Sequence, residues 1–253
     1  MNNVPFISCV CPTYKRPALL ANAVACFLAQ EYPPDRRKLY ILDDAGQFED
    51  QTGDGWQLVS ATQRYPTLPA KFDALARMAT GDLIAIWEDD DIFLRHHLSS
   101  IAAAYASGGR FIVTREVFSN YGRPEGLVRR ENAAGRFHSS WAFTRELYAE
   151  VGGYPKTSEL IFDQQMGARL RQAAGDAVRH SDDIAGPSYV YRWGNGVYHG
   201  SAAGGAGYAD LWQQLGEVPA EFVGWLVPKF DDETERIYSV VTDAKKAART
   251  DEE

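Results

Sequence analysis

The first 110 residues alternate between short apolar segments and longer amphipathic ones, and this order restricts the fold more than any other feature. The apolar segments have the length of strands, whereas the others carry apolar residues at helical spacing. The predicted strands cover residues 6–12, 39–44, 56–61 and 82–87, and the predicted helices cover 17–30, 69–79 and 96–107. This alternation is typical of an α/β fold with a mostly parallel central sheet flanked by helices.

Polar residues follow three of these strands at the point where each strand ends. Thr13 and Tyr14 follow the first strand, Asp43 and Asp44 close the second, and an acidic run at 88–91 follows the fourth. In open parallel sheets, ligands bind at the carboxyl ends of the strands. We therefore expect these side chains to share one edge of the sheet and to form a binding site there.

The second half of the chain has a different pattern. The segments 111–122 and 126–130 are predicted to be paired strands, which indicates a small antiparallel element. A further strand is predicted over 138–143, and helices are predicted over 145–151, 159–174 and 231–248. Because neither a repeat nor a linker interrupts the pattern, we expect a single domain over residues 1–253.

The composition is that of an ordinary soluble globular protein. The chain has 26 Lys and Arg against 34 Asp and Glu, a net charge of −8, which argues weakly against a polyanionic partner. No apolar run approaches the ~18 residues that cross a bilayer, and no signal peptide is visible, so a cytoplasmic location is expected. Cys9, Cys11 and Cys26 are expected to be buried and reduced.

The acidic run at 88–91 is the sharpest feature of the sequence. Four consecutive acids directly after an apolar strand repel one another, and a divalent cation relieves that repulsion. Mg²⁺ and Mn²⁺ prefer oxygen ligands, often carboxylates together with substrate phosphates. The run therefore favours a Mn²⁺ or Mg²⁺ site that binds a diphosphate over a solvated turn.

The other two strand ends carry groups that suit a nucleotide. Asp43 and Asp44 are carboxylates that can accept from a base N–H or from ribose hydroxyls, and a turn or helix cap is the alternative interpretation. The segment PTYKRP at 12–17 offers Tyr14 for stacking on a base and Lys15 or Arg16 for a phosphate. An exposed loop is the alternative interpretation of that segment.

In order and spacing, the motifs PTYKRP, LDDAGQ and TGDLIAIWEDDD resemble the nucleotide-binding half of glycosyltransferase family 2. The later segment WAFTRELYAEVGGYP is similar to the acceptor-side stretch of that family. The resemblance implies a GT-A-like, Rossmann-related fold and an inverting glycosyltransferase that uses a nucleoside diphosphate sugar, expected to be UDP-linked. It also implies a nucleotide-sugar-binding half over 1–110, an acceptor-binding half over 111–230 and a charged tail over 231–253.

The resemblance further implies roles for individual residues. The residues implied to contact the donor are Pro12, Thr13, Tyr14, Arg16, Asp43, Asp44, Lys71, Glu88 and Asp89, with Asp44 on the base. Asp90 is implied to be the metal ligand, and either Glu88 or Asp89 touches ribose or metal-bound water. Asp163 is implied to be the catalytic base, with Glu159 as the alternative, although Phe162 stands where the family often has a glutamate.

Later segments supply further candidates. His199 is expected to contact the metal or the diphosphate, and the Gly-rich segment 200–207 is expected to be a lid over the donor. The candidates for sugar stacking are Trp141, Tyr191, Trp193 and Trp212. His138 and Arg192 are candidates for the acceptor or diphosphate side.

Two other functions fit parts of the sequence. A nucleotidyltransferase is one, but the first strand end lacks the glycine-rich phosphate loop that it requires. A non-catalytic module that binds a nucleotide or a glycan is the other. The acceptor stays open between a glycan, a lipid carrier, a protein and a hydroxymethylated DNA base. A nucleic acid requires basic residues at the active edge, and the candidates are Arg123, Arg129, Arg130, Arg136, Lys245, Lys246 and Arg249.

Overall fold

The structure is a computed structural model that describes residues 4–120, 128–159, 161–192 and 219–240. His199, Trp193, Trp212 and the segment 200–207, for which the sequence predicts functions, lie outside these residues. Within the described ranges, no helix has both the length and the apolar character that a membrane span requires.

The strands alternate with helices through the first half of the chain, as predicted. The strands cover Ile7–Thr13 (β1), Arg37–Asp43 (β2), Gln51–Gly53 (β3), Trp56–Ser60 (β4), Leu83–Ile86 (β5), Ile92–Phe93 (β6), Phe111–Val113 (β7), Glu116–Ser119 (β8), Arg129–Asn132 (β9), Ala142–Thr144 (β10), Val178–His180 (β11) and Tyr189–Tyr191 (β12). The α-helices cover Pro17–Leu28 (α1), Leu68–Met78 (α2), His97–Ala106 (α3), Arg145–Glu150 (α4), Phe162–Ala174 (α5) and Asp182–Ala185 (α6). Short 3₁₀ helices cover Pro34–Arg36, His138–Ser140 and Gly175–Ala177.

The central sheet is mostly parallel. In the described part of the chain it contains eight strands in the order β11-β7-β10-β5-β1-β2-β4-β3. The four strands predicted from the first half lie together at its centre as β5, β1, β2 and β4, and they pair with one another in parallel. β10 pairs antiparallel with β5 and β7, and β3 pairs antiparallel with β4. The predicted α/β class is therefore confirmed.

Helices cover both faces of this sheet. Successive residues of a strand point to opposite faces, so one strand contributes side chains to both cores. Cys9 and Cys11 of β1 face one core, into which α1 and α3 pack. Val10 faces the other core, which contains residues of α2 and α5. The three cysteines are buried free thiols, which agrees with their predicted role as small apolar residues.

A second, smaller sheet follows the order β6-β12-β8-β9 and contains the predicted antiparallel pair, β8 with β9. The predicted strand 111–122 is divided between the two sheets. The division falls at residue 115, where the Asp182 carboxylate accepts from the backbone N–H groups of Arg115 and Glu116 at 3.0–3.1 Å. These bonds satisfy the backbone where the chain leaves the main sheet.

Three later elements differ from their predicted bounds. The strand expected over 138–143 begins only at Ala142, because a 3₁₀ turn precedes it. The helix expected over 159–174 begins at Phe162. Of the predicted terminal helix, residues 232–240 are helical, and 241–253 lie outside the described residues.

Candidate active site

The carboxyl ends of β1, β2 and β5 meet at one edge of the main sheet. Thr13 pairs with Asp43 in the parallel register, and Trp87 N donates to Val10 O at 3.0 Å, which brings the end of β5 beside β1. A cleft of about 1090 Å³ opens over this edge. The predicted site residues in its wall are Pro12, Thr13, Tyr14, Arg16, Asp44, Lys71, Glu88, Asp90, Asp163 and the alternative base Glu159.

Asp44 and Lys71 form a buried ion pair in this wall. Lys71 Nζ donates to Asp44 Oδ1 and to Thr13 O, at 2.5 Å each, and Tyr65 N donates to Asp44 Oδ2 at 2.9 Å. Burial lowers the pKa of Lys71, and the Asp44 charge opposes that effect. The pair therefore holds a carboxylate acceptor and an ammonium donor side by side.

Asp43 occupies a different position from its neighbour. Its carboxylate is fully buried and accepts from the backbone N–H groups of Ala45 at 2.9 Å and Gln47 at 2.8 Å. These bonds shape the turn that presents Asp44. Of the two predicted aspartates, the structure thus places Asp44 in the cleft wall and Asp43 behind it.

Tyr14 lines the cleft and has a neighbour that the sequence did not reveal. Lys15 has a φ of 56°, a left-handed conformation that turns the chain sharply after Tyr14. The guanidinium of Arg64 lies 4.2 Å from the centroid of the Tyr14 ring, which is a cation–π contact. Arg64 also lines the cleft, from the loop before α2.

Arg16 binds two members of the acidic run. Its Nη2 lies 2.6 Å from Asp89 Oδ1, and its Nη1 lies 2.6 Å from Asp90 Oδ2. Burial raises the pKa of Asp89 to about 6, although Arg16 acts in the opposite direction. Burial lowers the pKa of Arg16, but the charges of Asp89 and Asp90 outweigh it, so that the net pKa is raised. Arg16 therefore compensates the acidic run, and it also lines the cleft, where its phosphate contact stays a prediction.

Asp91, the last residue of the acidic run, is fully buried and is not part of the cleft wall described above. The Tyr189 hydroxyl donates to its Oδ2 at 2.5 Å, and Arg192 N donates to its Oδ1 at 3.0 Å. Glu88, Asp90 and Asp91 each offer a carboxylate oxygen within 4.8 Å of the others. We call these three residues the carboxylate cluster. Hard anionic oxygens are the ligands that Mg²⁺ and Mn²⁺ prefer, so the donor set fits a divalent cation.

Glu88 is held by residues that come 50 positions later in the chain. His138 Nδ1 lies 2.8 Å from Glu88 Oε1, and Ser139 Oγ donates to Oε2 at 3.1 Å. The other ring nitrogen of His138, Nε2, lies 2.8 Å from the Tyr154 hydroxyl. His138 lines the cleft, as its candidate role requires, and its bond to Glu88 places it on the side of the acidic run.

Asp163 and Glu159 line the cleft from the second half of the chain. Asp163 lies in the first turn of α5, where its Oδ1 accepts from Gln164 N at 2.8 Å and its Oδ2 from Gln164 Nε2 at 2.9 Å. Glu159 is exposed, and Gln165 Nε2 donates to its Oε2 at 2.6 Å. Both carboxylates face solvent more openly than the acidic run, which leaves room for an acceptor beside them.

Two predicted contacts are wrong. Trp141 is 1% exposed and belongs to the core, where its Nε1 donates to Gly135 O at 2.9 Å, so its ring has no face for a sugar. Arg192 pairs with Asp231 Oδ2 at 2.8 Å and with Thr234, and therefore anchors the C-terminal helical segment to the smaller sheet. Tyr191, by contrast, lines the cleft.

The fold indicates the class of protein. A mostly parallel α/β sheet flanked by helices, with a smaller second sheet beside it, is shared with solved GT-A glycosyltransferases. The family model for glycosyl transferase family 2 matches residues 8–172, and the chain belongs to that family. Among curated proteins, none matches the sequence significantly.

Solved structures share the fold at low sequence identity. S. aureus TarS 1-349 matches with a TM-score of 0.59 and 12% identity, over 74% of this chain and 60% of that one. The same protein in complex with UDP-GlcNAc gives 0.56 and 13%, over 78% and 60%. The mannosyltransferase PcManGT from Pyrobaculum calidifontis, in complex with GDP-Man and Mn²⁺, gives 0.51 and 19%, over 75% and 57%. This chain thus spans about 60% of the length of these proteins.

Proposed function

We propose that this glycosyltransferase moves a sugar from a nucleoside diphosphate donor to an acceptor hydroxyl, with inversion at the anomeric carbon. The observation that carries the proposal is that one cleft is lined by Asp44 and Asp90, which follow two strands, and also by Asp163 of α5. Solved structures of the same fold contain UDP-GlcNAc in one protein and GDP-Man with Mn²⁺ in another. We propose one domain for the whole of 1–253, with a donor half, an acceptor half and a charged tail bounded as the sequence predicts.

The donor half is proposed to bind the nucleoside. Asp44 accepts from an N–H of the base, and Lys71 donates to a neighbouring carbonyl oxygen of the same base. Uracil and guanine both place a ring N–H beside a carbonyl oxygen, whereas adenine and cytosine do not. Thr13 and Tyr14 border the same part of the cleft. We propose a UDP-linked donor and keep a GDP-linked donor as the variant that the experiment below distinguishes.

The carboxylate cluster is proposed to hold Mn²⁺ or Mg²⁺, with Asp90 as the principal ligand and Glu88 toward the ribose or the cation. When bound, the cation neutralises charge on the departing diphosphate. Arg16 holds the carboxylates of Asp89 and Asp90 in place beforehand through its two ion pairs. His199, outside the described residues, remains a proposed ligand of the metal or the diphosphate.

Asp163 is proposed to act as the general base. It takes the proton from the acceptor hydroxyl while that oxygen forms a bond to the anomeric carbon. The bond between this carbon and the diphosphate oxygen breaks, and its electron pair leaves with the nucleoside diphosphate. Attack on the face opposite the leaving group inverts the configuration.

A saccharide is the acceptor that the cleft favours over a DNA base. Among the described residues, the acceptor half contributes the carboxylates Glu131, Glu159 and Asp163 to the wall, against the single guanidinium of Arg136. Arg129 and Arg130 face carboxylates, at 3.5 Å from Glu131 and 3.7 Å from Glu116 respectively. A surface of this charge repels a polyanion. Phe137 and Tyr191 offer aromatic surface in the same wall.

Calorimetry and a donor-hydrolysis screen test the proposal. UDP, GDP and dTDP are titrated into wild type and into Asp163→Asn, with Mn²⁺ and with EDTA, and the corresponding sugar nucleotides are assayed for turnover. We expect both proteins to bind one nucleotide tightly with Mn²⁺, and only the wild type to turn over its sugar conjugate. Absence of binding for every nucleotide would overturn the proposal. Binding without any turnover by the wild type favours a non-catalytic module of the same fold.

A further inference from the structure

We infer that His138 is a positioning residue that fixes the Glu88 carboxylate at the donor side of the cleft, and that Tyr154 fixes His138 in turn. This inference rests on the proposed function for its catalytic consequence, but its geometry stands independently. Both ring nitrogens of His138 are engaged at 2.8 Å, one by Glu88 Oε1 and the other by the Tyr154 hydroxyl. The side chain is 5% exposed, so neither partner is readily replaced by water.

The direction of this hydrogen-bonded chain follows from its two ends. An ionised carboxylate only accepts, so Nδ1 of His138 carries the proton that faces Glu88. In the neutral ring Nε2 is then an acceptor, and the Tyr154 hydroxyl donates to it. Burial raises the pKa of Tyr154, and the charge of Glu88 acts in the same direction, which keeps this phenol protonated. The Glu88 carboxylate thus sets the ring tautomer, and the Tyr154 hydroxyl satisfies the other ring nitrogen and holds the ring in place.

Aromatic packing holds the ring in that orientation. The centroid of the His138 ring lies 4.9 Å from that of Phe72, 5.1 Å from Trp141 and 5.8 Å from Phe162, each in an edge-to-face arrangement. Because Phe162 precedes the proposed base Asp163, the same cluster touches the acceptor side of the cleft. Trp141 therefore supports the site through His138 although it cannot meet a sugar.

The Gly-Gly-Tyr motif at 152–154 explains how Tyr154 reaches this position. Gly153 has a φ of +80°, and a Cβ at this residue would lie 2.9 Å from Asp73 Oδ1. Asp73 Oδ1 accepts from Tyr154 N at 2.9 Å, so the close approach of the glycine backbone allows the bond that anchors the tyrosine. The motif thus delivers a hydroxyl group to His138.

Two variants separate positioning from folding. His138→Phe keeps a flat ring and removes both hydrogen bonds, whereas His138→Asn keeps an N–H near the position of Nδ1. We expect His138→Phe to weaken UDP binding in the presence of Mn²⁺, or GDP binding if the donor proves to be GDP-linked, and to lower donor kcat/KM, each by about 10- to 100-fold. His138→Asn is expected to restore most of this loss. Equal effects of the two variants would contradict the inference.

Tyr154→Phe tests the second bond, with Tyr40→Phe as the matched control. Tyr40 belongs to the same core, and its hydroxyl lies 3.0 Å from Thr80 Oγ1, away from the cleft. Tyr154→Phe is expected to lower kcat/KM by several-fold, whereas Tyr40→Phe leaves it unchanged. If both variants lower kcat/KM equally, the effect is one of general packing and the inference is wrong.

A spectroscopic measurement keeps the inference distinct from the proposed function. Long-range ¹H–¹⁵N spectra of histidine-labelled protein without ligand report the ring tautomer, and the His138→Asn spectrum identifies the His138 signals by their loss. We expect the Nδ1–H tautomer in wild type and in Tyr154→Phe, because the Glu88 carboxylate sets it in both proteins. An Nε2–H tautomer in wild type would overturn the inference even if the enzyme is active. If wild type binds no nucleotide, the proposed function fails while the tautomer still decides the His138 contact.

Discussion

The two sides of the cleft hold their carboxylates in different ways. On the donor side, Asp44, Asp89 and Asp90 are buried, and each pairs with a cation, the buried Lys71 or the partly buried Arg16. On the acceptor side, Asp163 accepts only from its neighbour Gln164 in the contacts described above. Buried pairs hold a fixed geometry at a cost in desolvation, whereas an open carboxylate leaves space for a second substrate. We therefore expect changes on the donor side to affect stability and changes at Asp163 to affect turnover.

The largest expected effect is on catalysis at the acceptor side. Asp163→Asn removes the proposed base and is expected to lower kcat for transfer by about 10²- to 10⁴-fold. The melting temperature should change little, because the aspartate is partly exposed at a helix start. Steady-state kinetics and thermal melts on the same preparation check both parts. If the variant retains the wild-type kcat, a residue other than Asp163 is the general base.

The next effect is on stability at the donor side. Arg16→Met leaves Asp89 and Asp90 buried without their shared cation and is expected to cost about 3–5 kcal/mol of unfolding free energy. Urea denaturation, with the surface variant Arg77→Met as control, measures this loss. A change below 1 kcal/mol would show that the acidic run is compensated without Arg16.

A smaller expected effect on the donor side is the pH dependence of folding stability through Asp89. The pKa of Asp89 is raised from 3.8 to about 6 by burial, so the folded state holds a proton that the unfolded state releases between these values. The stability contributed by this proton is complete below pH 3.8 and is lost as the pH rises through 6. Asp89→Asn cannot titrate. Its melting temperature in EDTA, minus that of wild type, should therefore rise between pH 4 and 6.5 and then level off; a constant difference would contradict this assignment.

The smallest effect concerns the alternative base. Glu159 is exposed, and its bond to Gln165 lies at the rim of the cleft. Glu159→Gln is expected to change kcat by less than about threefold, since a rim carboxylate contributes little to the chemical step. A loss comparable to that of Asp163→Asn in the same assay would reverse the assignment of the two residues.

The sequence predicts the strand ends well because they depend on local pattern. Buried strands are recognised by their apolar runs, and the rule for parallel sheets then brings Thr13, Asp44 and Asp90 together. The side-chain pairs of the site cannot be predicted in this way. Nothing in the local pattern pairs Arg16 with the acidic run or His138 with Glu88, because these contacts join residues 50 or more positions apart.

The second half is less predictable for a related reason. The division of 111–122 between two sheets depends on Asp182, which lies some 66 positions later in the chain. Trp141 is of a residue type that often stacks on sugars, yet its neighbours Phe111 and Gly167 enclose it in the core. Exposure of an aromatic side chain is set by tertiary packing and cannot be deduced from its type.

A crystal structure with UDP or GDP and Mn²⁺ tests the central claim most directly. We expect the base to contact Asp44 and Lys71, and the cation to lie between the diphosphate and Asp90. Nucleotide found at another surface, with Asp44 and Asp90 contacting neither base nor cation, would contradict it.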